Sequence, residues 1–347
     1  MDNAANKLEG ITLKSGWLVK KKIEKYDNQT GSIFSVCYKA EKNGVTCFLK
    51  AFDFSKFFML HAGKSAMEVL NEMSSAYLYE EKLSNFCKNK HVKKVAFVIE
   101  AGQEIVNGYA INIVPYLIFE LADGDVRKKL TISKNLDYAW RLKSLHDVAI
   151  GLNQLHKINV MHQDLKPSNI LVFSDECKIG DLGRSLCNDI DSPLRNISFS
   201  GDFNHAPPEI LYNYYDPDLN KRAYAADCYL LGSLIVFYFS GFSMNALLIK
   251  HIEDCFSWPK WTGSFTELEP YLEHAFSKAL KEFEHNIDNI EIKKGTLELV
   301  EYLCNPIPAK RGHPKSIASI GSNYSLERFV SMLATLQKKA EVMVTHG

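Results

Sequence analysis

The sequence predicts an α+β protein in two lobes, on the strength of three observations. Strand-forming residues crowd the first third, helical periodicity governs the remainder, and the change of character falls at about Gly124. A length of 347 residues suits one two-lobed enzyme or two small domains, and 46% hydrophobic residues leave enough apolar surface for a sizeable core.

From the N-terminus, Trp17 to Ile23 alternates weakly between apolar and polar residues. Ile33 to Lys39 and Thr46 to Phe52 are rich in β-formers, and Lys42-Asn43-Gly44 between them reads as a hairpin turn. A helix is expected from about Ser65 to Cys87, then two strand-like runs, Val95 to Ile99 and Ile111 to Leu121. Beyond Gly124, Leu136 to Lys157 places Leu142, Leu145, Val148, Ala149, Leu152 and Leu155 on one helical side. The chain closes with an amphipathic run from Leu326 to about Val344, and it holds no internal repeat or low-complexity segment.

Lys+Arg and Asp+Glu both number 41, a balance that argues against a dedicated nucleic-acid binder. The eight cysteines are scattered and form no CxxC pair, which excludes a sequence-evident zinc site and points to reduced thiols in the cytoplasm. The first ten residues contain no apolar stretch of the signal-peptide kind. Cys228 to Ile249 is uncharged and long enough to span a bilayer, but Gly232, Ser233, Ser240, Gly241, Ser243 and Asn245 interrupt it. A buried helix is therefore expected there, with no membrane span.

The chemistry-bearing motif is His162-Gln-Asp-Leu-Lys-Pro-Ser-Asn169, followed twelve residues later by Asp181-Leu-Gly183. The pair resembles the catalytic loop and the metal-binding Asp-Phe-Gly motif of the eukaryotic-type protein kinases. The resemblance implies a two-lobed kinase-like fold with a small β-rich N-lobe and a larger helical C-lobe. The implied boundaries are 1–15 for an N-terminal extension, 16–121 for the N-lobe and 122–347 for the C-lobe. Phosphoryl transfer needs positioning and charge neutralisation more than covalent help. The resemblance makes Asp164 the base that orients the attacking hydroxyl and Lys166 the cation beside the transferred phosphoryl. Asn169 and Asp181 become oxygen ligands for Mg²⁺ or Mn²⁺. Lys166-Pro167 favours the Ser/Thr branch. Pro207-Pro208-Glu209, Arg311 and Asp227 to Gly232 match, in order, the end of the activation segment, its arginine partner and the start of a buried helix.

On the nucleotide side the resemblance assigns ATP contacts to Gly31 and Val36 in the loop Gln29 to Val36, to Lys50, to the hinge residues Glu120 and Ala122, and to Leu171 as the floor. Only Gly31 survives of the family's three loop glycines, Phe48 stands where alanine is usual, and Phe119 holds the gatekeeper position. Glu72 is the expected partner of Lys50, since Ala76, Tyr79, Leu83 and Phe86 follow it at helical spacing; Glu68, Glu80 and Glu81 remain open. Gln163 replaces the arginine that usually receives an activation-loop phosphate, so catalysis without such a phosphate is expected. Asp202 replaces a threonine whose hydroxyl would touch the catalytic aspartate. The expected function is ATP-dependent phosphorylation of Ser or Thr in a protein substrate. The alternatives are a pseudokinase scaffold, favoured by glycine loss and Phe48, and a small-molecule kinase, opposed by Lys166-Pro167 and Pro207-Pro208-Glu209.

Overall fold

The structure, a computed structural model, describes residues 3–24, 34–60, 63–132, 137–319 and 323–346. Gln29, Gly31, Ile33 and Leu136 lie outside the described residues. The chain forms two compact units: Met1–His91, Ala96–Asp123 and Gly180–Gly183 make unit 1, and Val92–Val95, Gly124–Ile179 and Arg184–Gly347 make unit 2.

Unit 1 is built on an antiparallel sheet of β1 (Leu18–Lys22), β2 (Ser35–Lys42), β3 (Val45–Phe52), β4 (Val98–Ile105) and β5 (Ile113–Glu120), in the order β1-β2-β3-β5-β4. Asn43 and Gly44 both take positive φ, 52° and 77°, which is what a tight two-residue hairpin between twisted strands requires. One sheet face presents Tyr38, Leu49, Ala51, Tyr116 and Ile118, and Ala4, Ala5, Leu8, Leu13 and Trp17 cover it. Tyr38 Oη donates to the Ala5 carbonyl at 2.6 Å, and Asn3 Nδ2 donates to Asp53 Oδ2 at 2.7 Å. Residues 3–15 are therefore no extension but part of the unit 1 core, because their apolar side chains close a face that water would otherwise meet. The opposite face carries Phe52 and Leu117 and packs with Met73 of α2 (Ala66–Asn89). Before it, α1 (Phe54–Leu60) is short. The start of α2 is closed by a capping box: Ser65 Oγ accepts from Glu68 N while Glu68 Oε2 accepts from Ser65 N.

The expected strand Val95 to Ile99 is divided between the units. Ile179 N donates to the Lys94 carbonyl at 2.8 Å, and Lys94 Nζ pairs with Asp147 at 2.9 Å and Glu176 at 2.7 Å, all in unit 2. The boundaries expected at 15/16 and 121/122 thus give way to a more interleaved division, since ion pairs and bridges, not sequence order, decide where 92–95 belong.

Unit 2 begins with β6 (Gly124–Asp125), α3 (Val126–Ile132), α4 (Tyr138–Lys157) and β7 (Val160–Met161). It continues through β8 (Ile170–Val172), β9 (Cys177–Ile179), β10 (Leu186–Cys187), α5 (Pro208–Leu211) and α6 (Leu219–Ser240). Leu142, Leu145, Val148, Ala149, Leu152 and Leu155 of α4 are all fully buried, as their spacing predicts. Among the described residues α6 alone has the length and apolar composition to cross a membrane, but 78% of its most apolar stretch is buried inside the protein. Gly241 ends it in the left-handed region at φ 78°, and Ser243 caps a separate helix α7 (Met244–His251). The uncharged segment is therefore two helices with α6 as the central core helix. Farther on, α8 (Phe265–Glu284), α9 (Ile290–Leu303), α10 (Pro314–Ile317) and α11 (Glu327–His346) complete the unit.

Candidate active site

In unit 2, the catalytic-loop sequence runs from the end of β7 to the start of β8, and a buried carboxylate sets its path. Asp227 of α6, 0% exposed, accepts the backbone N–H groups of His162 and Gln163, each at 2.7 Å, and shares a 2.9 Å hydrogen bond with His156 Nε2. These bonds satisfy the anchor and hold Gln163 at φ 65°, a conformation that local energetics alone would not favour. The Gln163 side chain points inward, Nε2 donating to the Ala223 carbonyl at 2.8 Å.

Asp164 sits at the centre of the loop. Pro167–Asn169 makes one 3₁₀ turn, which brings Asn169 back over Asp164. Asn169 Nδ2 donates to the Asp164 carbonyl at 2.8 Å and to its Oδ2 at 3.0 Å. Both bonds use the amide nitrogen, and the Asn169 carbonyl oxygen is a hard donor of the kind that could hold a metal ion. Lys166 Nζ lies 3.1 Å from Asp164 Oδ2 and 3.2 Å from Asp202 Oδ2, and Asp202 N donates to Asp164 Oδ1 at 2.9 Å. Lys166 thus stands between two carboxylates and offsets their repulsion. Burial pushes the Asp202 carboxyl up, but the Asn204 amide and the Lys166 ammonium outweigh it and hold it below the ordinary aspartate range. Gly201 permits this approach: a Cβ there would stand 2.0 Å from the Gln163 carbonyl oxygen. Leu171 lies on β8 opposite Lys178.

The activation-segment end is braced within the same unit. Arg311, 0% exposed, makes a two-pronged pair with Glu209 at 2.7 Å for each prong. Its remaining donors reach the carbonyls of Ala225 and Asn305, both at 2.9 Å, so the buried guanidinium is hydrogen-bonded on several sides.

In unit 1, Lys50 of β3 meets Glu80 of α2 at 2.9 Å on both carboxylate oxygens and Asp181 Oδ1 at 3.1 Å. Burial pushes the Lys50 ammonium down, but the Asp181 and Glu80 charges outweigh it and hold it above the ordinary lysine range. Glu80, not Glu72, is therefore the partner. Glu72 is exposed and pairs with Lys64 at 2.5 Å. The buried stripe of α2 runs through Val69, Met73, Leu83 and Cys87, and Glu80 falls on it; Ala76, which follows Glu72 at helical spacing, is exposed. A carboxylate aligned with the most apolar helix stripe was the signal that marks Glu80. Asp181 takes φ 59°, and a Cβ on Gly183 would meet Glu80 Oε2, the end of a side chain paired with Lys50, at 2.9 Å.

The strand register corrects a second expectation. Val36 pairs with Ala51 and Cys37 pairs with Lys50, so Val36 lies on the face opposite Lys50, in the core closed by the N-terminal segment. Cys37 shares the Lys50 face. Phe48 and Phe119 pair across β3 and β5 on that same face, with ring centres 6.3 Å apart. Glu120 ends β5 and is exposed; Ala122 follows it, half-buried.

Residues 62–319 match the family model described as protein kinase domain. Aurora kinase of Debaryomyces hansenii is 30% identical over 121 residues, 34% of this chain and 28% of that protein. Aurora/IPL1-related protein kinase 2 of Caenorhabditis elegans is 35% identical over 99 residues, 28% of this chain and 31% of that protein. Inhibitor of nuclear factor kappa-B kinase subunit alpha of Xenopus tropicalis is 35% identical over 115 residues, 30% of this chain and 15% of that protein. These matches span about a third or less of the relatives' own length. The family match, in contrast, runs through Glu80, the whole of His162 to Asn169, Asp181 and Arg311, and on that ground the chain belongs to the protein kinase domain family.

Proposed function

We propose that this protein is an ATP-dependent protein serine/threonine kinase. The observation that carries the reading is Asp164, held by Asn169, Lys166 and the Asp202 backbone at 2.9 to 3.1 Å. The family's phosphoryl donor is ATP, used with a divalent metal. Asp181 and Asn169 each offer an oxygen donor of the kind that hard ions such as Mg²⁺ or Mn²⁺ prefer, and a bound metal would neutralise phosphate oxygens.

The roles follow from the contacts. Asp164 Oδ2 already accepts from Asn169 and Lys166, whereas Oδ1 accepts from the Asp202 N–H and keeps a lone pair. Oδ1 is therefore the atom assigned to orient and deprotonate the substrate hydroxyl. Lys166 neutralises charge on the transferred phosphoryl. Lys50, fixed by Glu80, is assigned to the α- and β-phosphates, with Glu120, Ala122 and Leu171 assigned to adenine. Lys166-Pro167 supports the Ser/Thr branch, as do the Ser/Thr kinases named above. The free cysteines fit a reducing compartment, and we assign the protein to the cytoplasm.

The test is incubation with labelled ATP, Mg²⁺ or Mn²⁺ and a generic protein substrate, beside Asp164→Asn. Label on Ser or Thr that disappears in the variant is expected; label on Tyr alone overturns the Ser/Thr assignment. A second reading, a pseudokinase that binds nucleotide without turnover, is favoured by Phe48 and Phe119 meeting on the Lys50 face. Its signature is ATP-dependent thermal stabilisation with no transfer under either metal.

A further inference from the structure

We propose that Asp202 is a positioning residue for phosphoryl transfer: its carboxylate shares the Lys166 ammonium with Asp164 and fixes that ammonium beside the base. The inference rests on the kinase reading and adds a residue to it.

Four observations converge on Asp202. Its backbone N–H holds Asp164 Oδ1 at 2.9 Å while its side chain holds Lys166 Nζ at 3.2 Å, so one residue engages both catalytic groups. Its Oδ1 accepts the backbone and side-chain N–H groups of Asn204, each at 3.0 Å, which fixes the carboxylate plane and turns Oδ2 to Lys166. Gly201 abuts the Gln163 carbonyl so closely that the segment has no room to move inward. The side chains of Lys166, Asp164 and Asp202 are only 8%, 8% and 17% exposed, so solvent screens their charges poorly.

The physical consequence concerns lysine. Its ammonium rides on a flexible four-carbon stem and, with one partner, samples several positions. With Asp164 as the sole partner, Lys166 would close onto the base and compete with the substrate hydroxyl. A second carboxylate divides its bonds and defines one location. The two aspartates and one lysine carry a formal charge of −1; a neutral residue at 202 would make the group neutral and remove the second charge that draws Lys166 away from Asp164.

Two measurements test this. The first is a double-mutant cycle on kcat and on KM for ATP with Asp202→Asn, Lys166→Met and both together. Asp202→Asn is expected to lower kcat about ten-fold, within the range that misplacing a catalytic group costs, with KM for ATP changed less than about two-fold. In the Lys166→Met background the same change should alter kcat by less than about two-fold. Equal losses in both backgrounds overturn the proposal, because Asp202 would then act without Lys166. The second measurement needs no turnover: reductive methylation of surface amines, quantified at Lys166 by mass spectrometry. Lys166 should react several-fold faster in Asp202→Asn, with Lys221 unchanged as reference. Equal Lys166 rates in both proteins overturn the proposal whatever the activity. A wild-type chain that transfers no phosphate, with Asp164 intact, overturns the kinase reading itself.

Discussion

The Asp164 loop of unit 2 and the Lys50 cluster of unit 1 are built by opposite strategies. The loop takes its reactive groups from eight consecutive residues and fixes their backbone to one buried carboxylate, Asp227. The Lys50 cluster takes its members from positions 50, 80 and 181 and fixes them through charge. A local turn is legible because sequence spacing decides which atoms meet. An assembled ion pair depends on strand register and helix rotation, and a shift of one residue in either exchanges its members. The membership of the Asp164 loop is therefore readable residue by residue, whereas Lys50 is readable and its partner is not.

Substitution at Asp164 should cost the most. Asp164→Ala should lower phosphate transfer about 10²- to 10⁴-fold while ATP binding, followed by thermal shift, persists. Turnover equal to wild type would remove the loop from the chemistry altogether. A smaller effect is expected from the assembled brace. Arg311→Met strands the Glu209 carboxylate in a buried site, and urea unfolding should show a loss of about 3–5 kcal/mol. A loss below about 1 kcal/mol would mean that water reaches Glu209 and that the pair is a surface one.

The partner of Lys50 separates the two strategies directly. Glu80→Gln should lower turnover about ten-fold by loosening Lys50, and Glu72→Gln should leave it within about two-fold. The reverse ranking in steady-state kinetics would restore the helix face chosen from sequence. The smallest effect concerns regulation. Gln163 is turned inward to Ala223 and Asp227 and offers no cation to a phosphate. Of the four serines between Asp181 and Glu209, Ser185, Ser192 and Ser200 are buried; Ser185 donates to the His162 carbonyl and Ser200 to that of Arg184. Ser198 is the accessible one of the four. Phosphatase-treated Ser198→Ala protein should therefore turn over within about two-fold of wild type. A ten-fold loss with folding intact, equivalent to about 1.4 kcal/mol of transition-state stabilisation, would make the segment a phospho-switch.

What the sequence by itself determined is what short-range geometry controls. Asn43-Gly44 has the backbone freedom for a tight hairpin, the α4 leucines recur at the helical period, and Pro167 starts the turn that folds Asn169 onto Asp164. The tertiary structure alone decided the rest. Val36 faces the N-terminal segment and not the side of Lys50, because side chains alternate and the β2–β3 pairing places Cys37 opposite Lys50. Glu80 replaces Glu72 because the buried stripe of α2 lies a fraction of a turn from the one that spacing suggested. Residues 3–17 join the sheet because their apolar groups cover Tyr38 and Tyr116, and Lys166 reconciles Asp164 with Asp202 because all three meet in a site with little water. Each of these outcomes depends on groups distant in sequence, whose meeting is set by packing and charge after the local elements have formed.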